Sequence, residues 1–218
     1  MNPEIRYAVL TGDIVKSSRL AADELERVRE SLGEAADCIR AWQRGLVKGK
    51  LAFFRGDSWQ LLLTDPGRAL RATVFLRARL IATGLADSRV ALGIGDVPNV
   101  SAHNITKSTG EAFSLSGEAL DTMKVSSRLA IAVTDVPERS AALLGIIGLL
   151  SDAIIRDWTQ RQAEIVSHAA QPSEPIHAAI ANALTPPVSR QAVTRSLNGA
   201  HWEAIREAVR QFEAFSWK

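Results

Sequence analysis

Apolar residues follow two repeating patterns along the chain, and these patterns predict strands and helices. Short apolar runs predict buried strands over residues 5–10, 51–55, 59–64, 89–97 and 128–134. Apolar residues at three- and four-residue spacing predict helices over residues 20–42, 65–84 and 111–125. The first six elements therefore come in the order strand, helix, strand, strand, helix, strand.

The second half of the chain carries helical patterns only. Beyond Pro137, helices are predicted over residues 143–158, 160–170, 176–184, 189–197 and 201–215. We therefore predict an α+β protein with two domains. Residues 1–137 form a sheet domain with the ferredoxin-like βαββαβ order, and residues 138–218 form an all-α domain with a helix-turn-helix over residues 159–218.

Composition narrows the class of protein. Of the 218 residues, 46% are hydrophobic and 23% are charged, which excludes a disordered chain. Cys38 is the one cysteine, so an intrachain disulfide and a cysteine-rich zinc site are excluded. We find no signal peptide, and the longest apolar stretch, residues 141–150, is too short to span a bilayer. The expected location is cytoplasmic, with no membrane partner.

Two aspartates are the first candidates for chemistry. Asp13 ends the first strand, and Asp57 lies in the turn of the predicted hairpin. The predicted topology brings both carboxylates to one end of the sheet, where they would suit Mg²⁺ or Mn²⁺, with a backbone carbonyl near Ile14 as a further ligand. The alternative is that each is an ordinary turn residue.

Four short segments, two of which contain these aspartates, carry a resemblance to known families. The stretches LTGDIVKSS (10–18), FRGDSWQ (54–60) and GEAFSLSGEALD (110–121) are similar to the SatD family. Asp13-Ile14, Gly56-Asp57 and residues 92–95 resemble the catalytic domain of class III nucleotidyl cyclases. The resemblance implies a cyclase-like first domain that binds metal through Asp13, Ile14 and Asp57, binds a purine nucleotide, and forms a homodimer.

A second set of residues is predicted to contact that nucleotide. Lys16, Ser17 and Ser18 follow the first strand and open a helix, so they can donate to phosphate oxygens, although Ser18 could equally be a helix cap. At the positions where the cyclases carry an asparagine and an arginine, this chain has Asp121 and Val125, with Lys124 beside the latter. Gly93 and Gly95 are predicted to allow a close approach of backbones. Arg55 can contact phosphate beside Gly56-Asp57, and the alternative is an ordinary exposed arginine of the strand. The candidate nucleotide-binding residues are Lys16, Ser17, Ser18, Arg55, Gly56, Asp121 and Lys124.

The second half of the chain contains a candidate DNA-binding segment. The helices predicted over 176–184 and 189–197 are separated by a short break, as in a helix-turn-helix. Residues 159–164 and 188–197 are similar to LuxR-type regulators and the C-terminal domain of sigma factors. Residues 175–202 contain no acidic side chain. The alternative is a helical bundle for dimerisation or lid formation, because residues 138–218 balance basic against acidic groups. The candidate DNA-binding residues are Ser189, Arg190, Gln191, Thr194 and Arg195.

Three functions remain open at this point. The first is a DNA-binding transcriptional regulator whose cyclase-like domain senses a nucleotide and a metal ion. The second is a divergent nucleotidyl cyclase or phosphoryl-transfer enzyme that uses two aspartate-bound metal ions. The third is a scaffold in which both sites have lost their activity.

Overall fold

A five-stranded sheet lies at the centre of the first half of the chain. The computed structural model describes residues 6–54, 56–99, 105 and 108–217. Its strands are β1 (Arg6–Ile14), β2 (Val47–Phe54), β3 (Ser58–Leu63), β4 (Ser88–Asp96) and β5 (Leu129–Val133). They lie in the order β2-β3-β1-β4-β5, and neighbouring strands are antiparallel except β4 and β5, which are parallel.

Eight helices accompany the sheet in the described part of the chain, and the predicted α+β class is confirmed. None of the helices described there is both long and apolar enough to cross a membrane. Short 3₁₀ turns, Ser17–Arg19 and Pro66–Arg68, precede the first two helices. The helices are α1 (Ala22–Trp42), α2 (Ala69–Ala82), α3 (Glu111–Asp121), α4 (Glu138–Ile155), α5 (Gln160–Ala169), α6 (His177–Ala183), α7 (Arg190–Gly199) and α8 (Trp202–Ala214).

The start of α1 differs from the sequence prediction. Ser18 lies in the first 3₁₀ turn, and α1 begins only at Ala22. The carboxylate of Glu24 accepts a hydrogen bond from the backbone N–H of Ala21 at 3.0 Å. Ser18 is therefore not the cap of α1, because the chain first needs a turn to leave β1.

Helices cover both faces of the sheet. Ala8 and Leu10 of β1 belong to the large core that includes α1 and α2, whereas Val9 belongs to a smaller cluster on the other face with Ala112 of α3. This alternation follows from the two-residue repeat of a strand. Gly93 of β4 allows α3 to approach, since a Cβ atom there would lie 2.1 Å from the carbonyl oxygen of Ala112.

The large hydrophobic core continues from the sheet into the second half of the chain. Helix α2 is buried along most of its length and packs between the sheet and α5. One cluster of buried residues joins Leu10 of β1, Val74 of α2, Val166 of α5 and Phe212 of α8. The domain boundary at residues 137–138 stays a prediction, and the core on its two sides is continuous.

The two edge strands differ in character. Strand β2 carries the exposed side chains Lys48 and Lys50, and its register against β3 shifts between Lys48 and Ala52. Strand β5, at the other edge, has five residues and packs against α4. The residues predicted to bind metal lie at the end of the sheet where β1 finishes.

Candidate functional site

The ends of β1 and of the β2–β3 hairpin meet at one cleft. Asp13 lies opposite Ser58 of β3, and the backbone N–H of Ile14 donates to the carbonyl oxygen of Asp57 at 3.2 Å. This antiparallel register places Asp13 and Asp57 in the wall of a cleft of about 450 Å³. The lining residues are Asp13, Ile14, Val15, Lys16, Ser17, Ser18, Asp57, Arg89, Val125, Ser127 and Arg128.

Asp13 is held by an arginine that the sequence analysis did not single out. Arg89 of β4 lies directly opposite Asp13, and its Nε donates to the two carboxylate oxygens at 2.9 and 3.1 Å, with a further bond from Nη2. Hydrogen bonding to Asp13, together with nearby carboxylate charge, raises the pKa of Arg89. The pair leaves Asp13 only 18% exposed, so an incoming cation has to share this carboxylate with Arg89.

Asp57 is held from the loop that follows β1. Its Oδ2 accepts a hydrogen bond from Ser17 Oγ at 2.5 Å, and the backbone of Lys16 adopts a left-handed conformation with φ of 57° just before that serine. Arg29 of α1 donates to the carbonyl oxygen of Gly56 and fixes the hairpin turn. Ser17 therefore orients a carboxylate, in addition to lining the cleft.

A buried ion-pair network lies behind the cleft. Arg77 of α2 is fully buried; its Nη2 donates to Asp87 and its Nη1 donates to Asp152 of α4, both at 2.8 Å. Arg128, in the cleft wall, also binds both acids: its Nη1 donates to Asp87 and its backbone N–H donates to Asp152, again at 2.8 Å. The wall of the cleft is thus connected to α2 and α4 by charged hydrogen bonds.

The charges of this network are stabilised by each other. Burial alone would raise the pKa of Asp87, but the charge and hydrogen bonds of Arg77, with bonds from Arg128 and the Ser88 N–H, lower the pKa below its ordinary value. Burial likewise acts to lower the pKa of Arg77, and its two acidic partners raise the pKa overall. Asp87 and Arg77 therefore remain ionised at neutral pH.

Some predicted nucleotide contacts lie elsewhere. Asp121 ends α3 and does not line the cleft, and neither do Lys124 and Gly56. The negative charge of Asp121 nevertheless contributes to the raised pKa of Arg89. Val125 and Arg128, in the segment between α3 and β5, line the cleft instead. Arg55 lies outside the described residues.

The cleft offers two carboxylates to a metal ion. Within the described ranges, no group of three or more His, Cys, Asp or Glu side chains is arranged to hold one. Mg²⁺ is commonly bound through one or two carboxylates together with phosphate oxygens and water. Asp13 and Asp57 fit that mode of binding, in which phosphate oxygens and water complete the coordination, better than a site built from protein ligands alone.

The predicted DNA-binding residues lie on one face of α7. Arg190, Gln191 and Arg195 are exposed, and Ser189 Oγ caps the helix by accepting a hydrogen bond from the Ala192 N–H at 3.1 Å. Thr194 forms a contact that the sequence does not predict: its hydroxyl is bonded to His177 Nδ1 of α6 at 2.8 Å. Thr194 therefore joins the two helices of the predicted motif.

Comparison with known proteins adds a weak structural likeness. No protein-family model and no curated protein matches the chain. Among solved structures, the guanylyl cyclase Cya2 aligns with 59% of this chain and 75% of its own, at 18% identity and a TM-score of 0.39. The resemblance to the SatD family stays a prediction, and the function proposed below rests on the residues of the cleft and of α7.

Proposed function

We propose that the cleft binds a purine nucleoside polyphosphate together with Mg²⁺ or Mn²⁺, and that this binding regulates the contact of α7 with DNA. The observation that carries the first part is the meeting of opposite charges in one cleft. Two carboxylates, Asp13 and Asp57, can hold the cation, and Lys16, Arg89 and Arg128 can neutralise phosphate oxygens. The antiparallel order of β2, β3, β1 and β4 supports a ferredoxin-like, cyclase-like first domain.

The DNA-binding part of the proposal rests on the surface of α7. Arg190, Gln191 and Arg195 project from its first turns on a segment that contains no acidic residue. Arginine reads guanine and glutamine reads adenine through paired hydrogen bonds in the major groove. Behind this polar face, Val193 and Leu197 are buried and Ile180 of α6 packs in the same core, as a recognition helix needs a rigid support.

Calorimetry tests the nucleotide site. Mn²⁺ with GTP or ATP is titrated into the wild-type protein, Asp57→Asn and the control Asp37→Asn, which alters an exposed aspartate of α1. We expect Asp57→Asn to weaken binding by about tenfold, equivalent to about 1.4 kcal/mol, and the control to leave it unchanged. Absence of binding to the wild type, or equal binding by Asp57→Asn, would contradict the proposal.

Fluorescence anisotropy with the protein's own promoter DNA tests the second part. We expect Arg190→Ala and Arg195→Ala each to weaken binding, and Arg27→Ala, which removes the same charge from exposed α1, to have no effect. Binding should weaken as salt rises and should change when Mn²⁺ and nucleotide are added. If no salt-dependent binding is seen with or without nucleotide, α7 is not a DNA-binding helix.

A second candidate function is phosphoryl transfer. It is favoured by the placement of two carboxylates from adjacent parts of the sheet in one cleft, where they could hold two metal ions. Incubation with ATP or GTP and Mn²⁺, followed by chromatography of the products, tests this candidate. A product that Asp57→Asn abolishes would support an enzyme, and a product that this substitution leaves unchanged would come from a contaminant.

A further inference from the structure

One face of α4 is apolar and exposed over most of the helix. Leu144, Gly148 and Ile155 face the core, and a Cβ atom at Gly148 would lie 3.1 Å from the side chain of Ile131 on β5. The opposite face carries the most exposed large apolar side chains of the helix. These are Leu143 (55% exposed), Ile146 (49%), Leu149 (57%) and Leu150 (60%).

The spacing on this face matches that of a helix pairing seam. Leu143, Ile146, Leu150 and Ala153 recur at intervals of three, four and three residues, and all four are exposed. Intervals of this kind place side chains along one stripe of a helix, as in the a and d positions of a coiled coil. Large apolar side chains grouped on one exposed face commonly mark a surface that binds a partner.

The seam is symmetric about the level of residue 148. A two-fold axis perpendicular to α4 at this level generates an antiparallel second copy. Leu143 then lies opposite Ala153 of the partner subunit, and Ile146 lies opposite Leu150 of the partner subunit. The same rotation places Arg139 opposite Asp157 of the partner subunit. Arg139 lies in the first turn of α4 and Asp157 in the turn just after it, and both are exposed.

Charge selects this antiparallel arrangement over a parallel one. In a parallel pair Arg139 would face the partner's Arg139, and the two helix dipoles would point the same way. In the antiparallel pair each end of the seam joins a basic side chain to an acidic one, and the dipoles oppose each other. Two-fold symmetry is also the commonest symmetry of protein dimers.

We propose that the exposed face of α4 is the interface of a homodimer in which the two copies of α4 pack antiparallel about the level of residue 148. The seam supplies apolar contact at its centre and an ion pair at each end. This interface does not depend on the proposed nucleotide or DNA sites, so its failure would leave those proposals standing.

Sedimentation velocity on the full chain, over a range of concentrations, tests the interface. We expect the wild type to sediment with twice the mass of the 23.6 kDa chain, and Ile146→Glu combined with Leu150→Glu to sediment as one chain. Ile176→Glu, which changes a 73% exposed apolar residue outside α4, should remain dimeric. Far-UV circular dichroism of each variant verifies that it is folded.

Charge variants test the arrangement without disturbing the apolar seam. Arg139→Asp should raise the dissociation constant of the dimer by about fivefold, and adding Asp157→Arg should restore it, because both exposed ion pairs are then rebuilt with reversed charges. These positions are exposed, so the variants are expected to fold even if the glutamate variant does not.

Disulfide trapping separates the two orientations. In a Cys38→Ser background, Arg139→Cys combined with Asp157→Cys should oxidise to a covalent dimer, whereas Arg139→Cys alone should not. In the antiparallel pair the two copies of position 139 lie about 27 Å apart along the helix axis. Ready trapping of Arg139→Cys alone would show a parallel pair and overturn the proposed arrangement.

Other outcomes would reject the interface itself. A wild type that sediments as one chain at all concentrations, or a glutamate variant that stays dimeric, would show that α4 is not the dimer interface. A monomer that binds vesicles of phosphatidylcholine and phosphatidylglycerol through this face would assign the apolar seam to a membrane surface instead.

Discussion

The buried arginine Arg77 gives the first prediction at the residue scale. Replacing Arg77 with methionine leaves Asp87 and Asp152 with fewer partners in a buried site, so the free energy of unfolding should fall by about 3–5 kcal/mol. Urea unfolding measures this loss. Arg79→Met is the matched control, because Arg79 lies two residues later and pairs with Glu34 at the surface.

The two arginine variants should differ clearly. A surface ion pair contributes little, so Arg79→Met should change stability by no more than about 0.5 kcal/mol. Equal losses from Arg77→Met and Arg79→Met would show that the buried network does not stabilise the fold more than a surface pair does.

The partners of Asp13 could be derived from the sequence only in part. The position of Asp13 at the end of a strand follows from the apolar run before it, and its place near Asp57 follows from the hairpin. Its pairing with Arg89 depends on the register between β1 and β4, which are separated by more than seventy residues. The alternation of apolar residues gives the faces of both strands but not the register, so Arg89 could not be named from the sequence.

His168 of α5 gives a prediction about pH. Burial lowers the pKa of its imidazole below the ordinary 6.5, the charge of Arg79 lowers it further, and Glu164 acts in the opposite direction. The unfolded chain therefore takes up this proton first as pH falls. The free energy of unfolding should decrease as pH drops through 6.5 toward the folded-state pKa, and no such loss should occur above that range.

Urea midpoints measured on the two sides of that range test the effect. His168→Gln should flatten the part of the pH dependence that comes from this residue, and His201→Asn, at an exposed position, should retain it. An unchanged profile in His168→Gln would show that another group causes the loss.

At the scale of elements, the sequence predicts most of the fold. Each predicted strand and helix that falls on described residues has a counterpart, because apolar periodicity depends on burial, which local sequence reports well. Helix α4 shows the limit of this method. Its apolar residues surround the helix and do not indicate which face is buried, whereas in the structure the face with Leu144 and Ile155 packs on the protein.

The contact between α3 and β4 gives a prediction at this scale. A methyl group at Gly93 would meet the backbone of Ala112 and Ser116, so Gly93→Ala should push α3 from the sheet and destabilise the protein by about 1–3 kcal/mol. Gly117→Ala is the matched control in α3, where a Cβ atom would meet nothing within 4 Å.

The control should act in the opposite direction. Alanine is favoured over glycine inside a helix, so Gly117→Ala should stabilise the protein by up to about 1 kcal/mol. Thermal unfolding followed by circular dichroism measures both variants. A neutral Gly93→Ala would mean that α3 does not approach β4 as closely as described.

At the scale of the whole molecule, the continuous core predicts cooperative unfolding. Buried residues of β1, α2, α5 and α8 belong to one cluster, so neither half can lose its packing alone. Urea unfolding followed by far-UV circular dichroism and by tryptophan fluorescence should give coincident transitions. Trp59 reports on the sheet and Trp202 on the last helix. Two separate transitions would instead support two independent domains.

The two edge strands of the sheet limit how copies of this protein can associate. Edge strands offer unpaired backbone groups to which a strand of another molecule can add. Strand β2, at one edge, carries the charged side chains of Lys48 and Lys50 and pairs with β3 in an irregular register. Strand β5, at the other edge, is only five residues long. Both features discourage strand addition, so concentrated solutions should remain free of fibrils, and self-association is left to helical surfaces.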